Sequence, residues 1–302
     1  FSFNTPNFIF RFSLGETDYQ LGATDYERFA AEYAFFGRSV WQQTLNLTDE
    51  EKTELIRLLQ ENYRPENRVY RYNFFYDNCA TRPRDKIEES IAGKVIYPAE
   101  PQDGSLTFRD IVHQYCKGHP WARFGIDLCI GSEADQPITQ RQMMFAPFYL
   151  MDAFDGAQIK GDSIQRPLIT ANELVVDATP EPDESDWMPT PLQCSLLLFI
   201  LTAAATIYGI RRRTGLWGID LFLFGIAGIV GCVLAFLALF SQHPAVSSNF
   251  LLLVFHPGQL LFLPYIIYCV RKGKKCWYLT LNLAVLTLFI VLFPVIPQRF
   301  DF

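Results

Sequence analysis

"IDLFLFGIAGIVGCVLAFLALF" (Ile219–Phe240) carries one charged residue, Asp220, at its start and is otherwise apolar or small. A segment of about 20 such residues is what a helix needs to cross the hydrocarbon core of a bilayer. Arg211, Arg212 and Arg213 stand just ahead of it, and "SQHPAVSSN" (Ser241–Asn249), without Lys or Arg, follows it. Three more apolar stretches flank it, so the expected spans run over 191–210, 219–240, 250–270 and 276–296. The loop between the last two holds Arg271, Lys272, Lys274 and Lys275. Basic loops stay on the cytoplasmic side, which places residues 1–190 outside, in the periplasm of a bacterium, on a multi-pass protein of the inner membrane.

The charge balance divides the chain at the same point. Residues 1–190 hold 18 Lys and Arg against 30 Asp and Glu, a net of −12; residues 191–302 hold 8 against 2, a net of +6. An acidic outer half without a basic patch or Gly-rich phosphate loop excludes nucleic acid as a partner. The chain begins at Phe1, and "FSFNTPNFIF" (Phe1–Phe10) has no export signal. An outer domain needs one, so the sequence predicts a segment ahead of Phe1 and leaves room for a fifth span after "IPQRFDF" (Ile296–Phe302).

Inside the membrane half, Ala227, Gly231 and Ala235 recur at i, i+4, i+8, a smooth ridge for close helix contact. His256-Pro257-Gly258 and Pro264 predict a third span broken near its outer end, and a broken backbone at depth must be covered by protein or line a wet cavity. His256 there reads either as a hydrated interfacial residue or as a functional one. His243 and His256 are candidates for a lipid cleft.

The outer half reads as an α+β domain over residues 1–175, followed by an acidic, Pro-rich linker over 176–190 that cannot build a core. Phe1–Phe12 reads as a strand broken at Pro6, and Asp25–Gln43 as a helix. Thr48 and Glu51 make a capping box. The helix after it is expected to group Leu55, Ile56, Leu58 and Leu59 on one face. Arg68–Tyr76 is rich in strand formers. A helix begins near Thr81, with Pro83 in its first turn and Gly93 past its end. A further helix is expected over Leu106–Tyr115.

Cys79 therefore stands at a strand-to-helix junction in "YNFFYDNCATRPRD" (Tyr72–Asp85). Free amides and the helix dipole favour an anion at such a place, and so a thiolate. Arg82 and Arg84 add positive charge; Asn78 and Thr81 are candidate donors to an oxyanion. Local chemistry leaves two readings open, a nucleophile and a buried structural thiol. A nucleophile needs a base, and the outer half offers His113 and His119. Cys116 and Cys129 are free to pair or to stay reduced, and one Cys between two His does not make a metal site, so no metal is expected. Cys194, Cys232, Cys269 and Cys276 read as small hydrophobes of the spans.

Several stretches resemble a known family in order and spacing. They are "FNTPNFIFRFSLGETDYQL" (Phe3–Leu21), "FFGRSVWQQTLNLTDEEK" (Phe35–Lys52), "NYRPENRVYRYNFFYDNCATRPRD" (Asn62–Asp85), "WARFGIDLCIGSEADQP" (Trp121–Pro137) and "SQHPAVSSNFLLLVFHP" (Ser241–Pro257). The family is that of the Lnb-type lipoprotein N-acyltransferases of Bacteroidota. The resemblance implies a permuted papain-like thiol enzyme, incomplete at its N-terminus here, followed by an all-α transmembrane domain of four helices. It implies transfer of an acyl chain through a Cys79 thioester to the α-amino group of a diacylated lipoprotein. A membrane phospholipid is the implied donor, and no cofactor takes part. Asn78, Thr81 and Arg82 support the implied site. The implied base is a histidine upstream of residue 1, on a Gly-His segment expected some tens of residues ahead of Phe3; His113 and His119 are weaker substitutes. Two other readings remain beside it: a membrane-tethered cysteine hydrolase acting on peptidoglycan or peptides, and a non-catalytic periplasmic interaction module.

Overall fold

The computed structural model describes residues 7–98, 106–161, 165–178 and 188–300. The chain forms two compact units. One comprises Phe1–Leu106 with Pro137–Trp187, the other Thr107–Gln136 with Met188–Phe302. Residues 107–136, which the sequence places in the outer domain, thus group with the membrane helices.

Among its described residues the first unit mixes short helices with three small antiparallel sheets. Asp18–Gln20 pairs with Val69–Arg71, and Val40–Leu45 with Ile169–Val176. Lys94–Ile96, Gln158–Lys160 and Gln165–Pro167 make the third sheet. The core lies where Ile159 and Ile169 of these sheets, and Leu168 between two of their strands, meet Leu47, Ile91, Phe154 and Ala157. Each large apolar side chain buried there contributes about 1.5–3 kcal/mol.

Several local expectations change. Phe8–Leu14 is a helix, not a strand; the rest of the strand expected from Phe1 lies outside the described residues, as do 179–187 of the linker. The helix expected over Asp25–Gln43 stops at Phe35, because Gly37 turns the chain with φ +63°. Val40–Leu45 then runs as a strand whose partner is far along the sequence. The Thr48–Glu51 capping box is present and starts Asp49–Tyr63. Only Leu55 and Leu58 of that helix turn inward; Ile56 and Leu59 stay exposed. The buried companion is Glu51, which binds the Thr48 amide, the Ala92 amide and the Arg166 guanidinium. Gly93 is not a helix cap: its bare Cα lies against the Lys160 carbonyl, which a Cβ would approach to 2.5 Å.

Among the described residues of the second unit three helices are long and apolar enough to cross a membrane: Pro191–Arg212, Trp217–Phe240 and Trp277–Val295. The third expected span, 250–270, is divided. A 3₁₀ turn over Phe250–Leu253 gives way to Gly258–Leu261 and Leu263–Lys272. Pro257 and Pro264 lack the amide protons a continuous helix would use there. The small-residue ridge also differs from the expectation. The buried line on Trp217–Phe240 is Gly228, Gly231, Leu234 and Leu237, while Ala227 and Ala235 are half-buried. Gly228 receives the Leu260 backbone and Gly231 the His256 backbone, each so close that a Cβ would stand 2.5–2.6 Å away.

Residues 107–136 are clasped to the loops of this unit. The Gly131 amide donates to the Ala245 carbonyl at 2.7 Å and the Ser132 amide to that of Ser248 at 2.9 Å. Asn249 donates to Leu128, and Gln298 to Ile130.

Candidate active site

The strand Val69–Arg71 places Tyr70 opposite Tyr19 in register. Tyr72, two residues on, returns to the same face. The ring of Tyr19 stands 5.5 Å from Tyr70 and 5.6 Å from Tyr72. The chain then turns back tightly. Asn73 and Asp77 exchange two backbone hydrogen bonds of 2.9 and 3.0 Å, while Asn73 Oδ1 accepts the amides of Phe75 and Tyr76. Phe75 anchors this turn edge-on against Phe145 at 5.1 Å.

Asn78 converts the turn into a helix. Its Oδ1 accepts the Ala80 and Thr81 amides at 2.8 and 3.0 Å, two of the orphan donors that every helix start must place. Its Nδ2 donates to the carbonyls of Phe74 and Phe145 at 2.8 and 2.9 Å. Its own amide donates to Thr81 Oγ1 at 2.8 Å, and that hydroxyl donates back to the Asn78 carbonyl. The side-chain amide of Asn78 and the hydroxyl of Thr81 are thus engaged in the turn, so their support is to fix the shape of the junction. Asn78, Ala80 and Thr81 are buried, and Cys79 between them is exposed. Among the described residues no acceptor takes the Cys79 amide.

Arg82 grips Asp77 with two bonds of 2.6 and 2.8 Å and lies over the Tyr70 ring, 3.3 Å from its centre. Its charge is therefore shared with a carboxylate and an aromatic face. Arg84 is buried against Asp85 and the Arg141 carbonyl. Burial pushes the Tyr70 phenol up to about 12, against the pull of Arg82 and with Tyr19, Asp77 and Cys79 adding to the rise. Tyr72 is raised by burial and then by Cys79, and Tyr19 likewise. The thiol and the three phenols thus share one electrostatic neighbourhood, in which the tyrosines stay protonated.

Two family models match the sequence: the Lnb N-terminal periplasmic domain over residues 2–113 and the Lnb transmembrane domain over residues 183–302. The chain belongs to the Lnb family. It is a membrane protein with a periplasmic N-terminal domain, and the Lnb periplasmic match takes in the whole Cys79 turn. No curated protein and no solved structure matches.

The unit of this Lnb protein that holds Cys79 contains no histidine, since the four in the chain are at 113, 119, 243 and 256. His113 lies on Phe108–Tyr115 in the other unit, its Nε2 2.8 and 3.0 Å from the two oxygens of Asp127. That carboxylate also takes the guanidinium of Arg109, which is fully buried and further bound to Asp135 and to the carbonyls of Ile130 and Gly131. His119 is exposed at the start of Pro120–Cys129. His243 lies beyond the end of Trp217–Phe240. The His256 backbone packs on Gly231, fourteen residues into that helix, or ~21 Å from its start. The His256 backbone therefore meets the interior of that helix, not its end. All seven cysteines are free, so Cys116 and Cys129 are unpaired. Burial raises both thiols, with Asp127 adding to the rise at Cys116.

Sequence reasoning passed over the tyrosine face and the Arg109 network. The first had a signal, the Tyr70–Tyr72 alternation ahead of the cysteine. The second had none, because its partners come together only when two helices and a turn pack.

Proposed function

We propose that this Lnb-family protein is a lipoprotein N-acyltransferase acting at the periplasmic face of the bacterial inner membrane, as a multi-pass protein of that membrane. The observation that supports it is Cys79: an exposed thiol at a helix start, held by a turn whose polar side chains are engaged, with its own amide open. The reaction has two halves. The Cys79 thiol gives its proton to a base and attacks the ester carbonyl of a phospholipid. The Cys79 amide donates to the oxyanion that forms there. Collapse breaks the ester C–O bond, the base returns the proton to the departing alcohol, and a lysophospholipid leaves behind an acyl thioester. The α-amino group of a diacylated lipoprotein then attacks that thioester. The C–N bond forms, the C–S bond breaks, and the base carries a proton from the amine to the sulfur. The product is a triacylated lipoprotein and the free thiol. No cofactor enters the balance. The unit around Cys79 holds no histidine, so a histidine base is not among its residues.

The test is mass spectrometry of a lipoprotein N-terminal peptide from cells whose sole N-acyltransferase is this protein. Cys79→Ala leaves the peptide diacylated with a free amine. Full triacylation in the Cys79→Ala strain overturns the reading. Cleavage of muropeptides that requires Cys79, without any lipoprotein acylation, reassigns it to a hydrolase.

A further inference from the structure

The break in the divided membrane segment gathers polar groups around one glycine. Gln259 closes the break by donating from Nε2 to the Val254 carbonyl at 2.6 Å. Among the described residues its Oε1 is buried and accepts nothing, and the Tyr278 hydroxyl on Trp277–Leu292 is likewise buried without an acceptor. The two residues are only 5% and 2% exposed. Stacking against Phe262 at 4.6 Å and an edge contact with His256 at 6.3 Å fix the Tyr278 ring. Gly258 has no side chain, and the position its Cβ would take lies 2.9 Å from His256 Nδ1 and 3.2 Å from the Tyr278 hydroxyl oxygen. Two hydrogen-bonding atoms thus converge where any other residue would place its side chain.

Hydrocarbon supplies no solvent to satisfy an unpaired O–H or C=O, so such atoms persist at depth only where something else completes them. Polar buried sites of this kind are completed by ordered water or by a ligand. We propose that His256, Gly258 and Tyr278 form a binding site inside the membrane half for one neutral oxygen that accepts the Tyr278 hydroxyl proton, brought by water or by a lipid ester. Gly258 is required for room, Tyr278 for the donor, and His256 Nδ1 for the second contact. The site stands apart from the chemistry proposed at Cys79 and does not depend on it.

The full chain, labelled with ¹⁵N-histidine and reconstituted in phospholipid nanodiscs, tests this by NMR. The His256 signal is assigned by its loss in His256→Asn. The expected result is magnetisation transfer to His256 Nδ1 from water or from lipid glycerol protons, lost in both Gly258→Ala and Tyr278→Phe. Transfer from water that survives delipidation in detergent identifies water. Transfer from glycerol protons that disappears on delipidation identifies a lipid ester. No transfer from either source in the wild type overturns the proposal. So does transfer that persists unchanged in Gly258→Ala, which keeps every polar group and fills the opening.

Discussion

At Asn78 and at Gln259 a side-chain amide mends a gap in the backbone ladder. Asn78 uses both ends of its amide, accepting two helix amides and donating to two carbonyls. Gln259 uses one end, and its Oε1 stays buried and unpaired. The first place is finished: every polar atom of the amide is committed, and what it presents outward is the Cys79 thiol. The second is unfinished, with its polar atoms turned inward. A completed turn can hold a reactive group in place without help, as preorganised catalysis requires. An incomplete one points to something that arrives later.

The sharpest way to break this contrast is Cys79→Ala. The exposed thiol supports nothing around it, so the thermal midpoint should not move, while acyl transfer should fall by more than about a thousandfold. A large loss of stability would make Cys79 structural. Asn78→Ala asks the converse question. It strands the Ala80 and Thr81 amides and two carbonyls, and should cost about 3 kcal/mol of stability by denaturant titration, with activity lost as the turn opens. If Asn78→Ala folds normally with normal activity, the turn is not what positions the thiol.

How much of this was readable in advance follows from where each partner lies. The Thr48 capping box and the helix start beside Cys79 rest on neighbours a few residues apart, and the sequence predicts both; the division it predicts leaves residues 107–136 in the outer domain, whereas they group with the membrane helices. Val40–Leu45 is a strand where the local sequence predicts helix, because its partner, Ile169–Val176, is far along the chain. Local sequence predicts Asn78 as an oxyanion donor because the Phe145 carbonyl that takes its Nδ2 proton lies 67 residues away. In the membrane half the apolar pattern predicts the three long helices but not their facing: Ala227 and Gly231 look alike as small residues, and only packing selects Gly228 and Gly231 to meet the divided segment.

That selection gives a test of the unfinished place. Gly231→Ala puts a methyl 2.5 Å from the His256 amide and should cost about 1–3 kcal/mol, with a lower thermal midpoint in detergent. Ala227→Val, at a half-buried position on the same helix, should cost less than that. Equal effects would mean that the His256 backbone is not seated on Gly231.

The same contrast extends to charge, with a smaller effect. Glu51 is buried and, like Asn78, fully engaged. Burial alone would raise its carboxyl, but the Thr48 amide, the Arg166 guanidinium and the Ala92 amide more than offset this and hold it below its usual 4.5. A carboxyl depressed in the folded state stabilises the fold above its unfolded value and loses that contribution as pH falls through the folded one. The protein should therefore lose on the order of 1 kcal/mol as the solution is acidified below 4.5, beyond the loss from its exposed acids. Glu51→Gln cannot titrate, so its stability should start lower at neutral pH and fall less steeply on acidification. Thermal midpoints of the two proteins across that range give the slope directly. Parallel slopes would show that Glu51 gains nothing from its partners on ionising, and that its bonds to Thr48, Ala92 and Arg166 are no better in the folded chain than water is in the unfolded one.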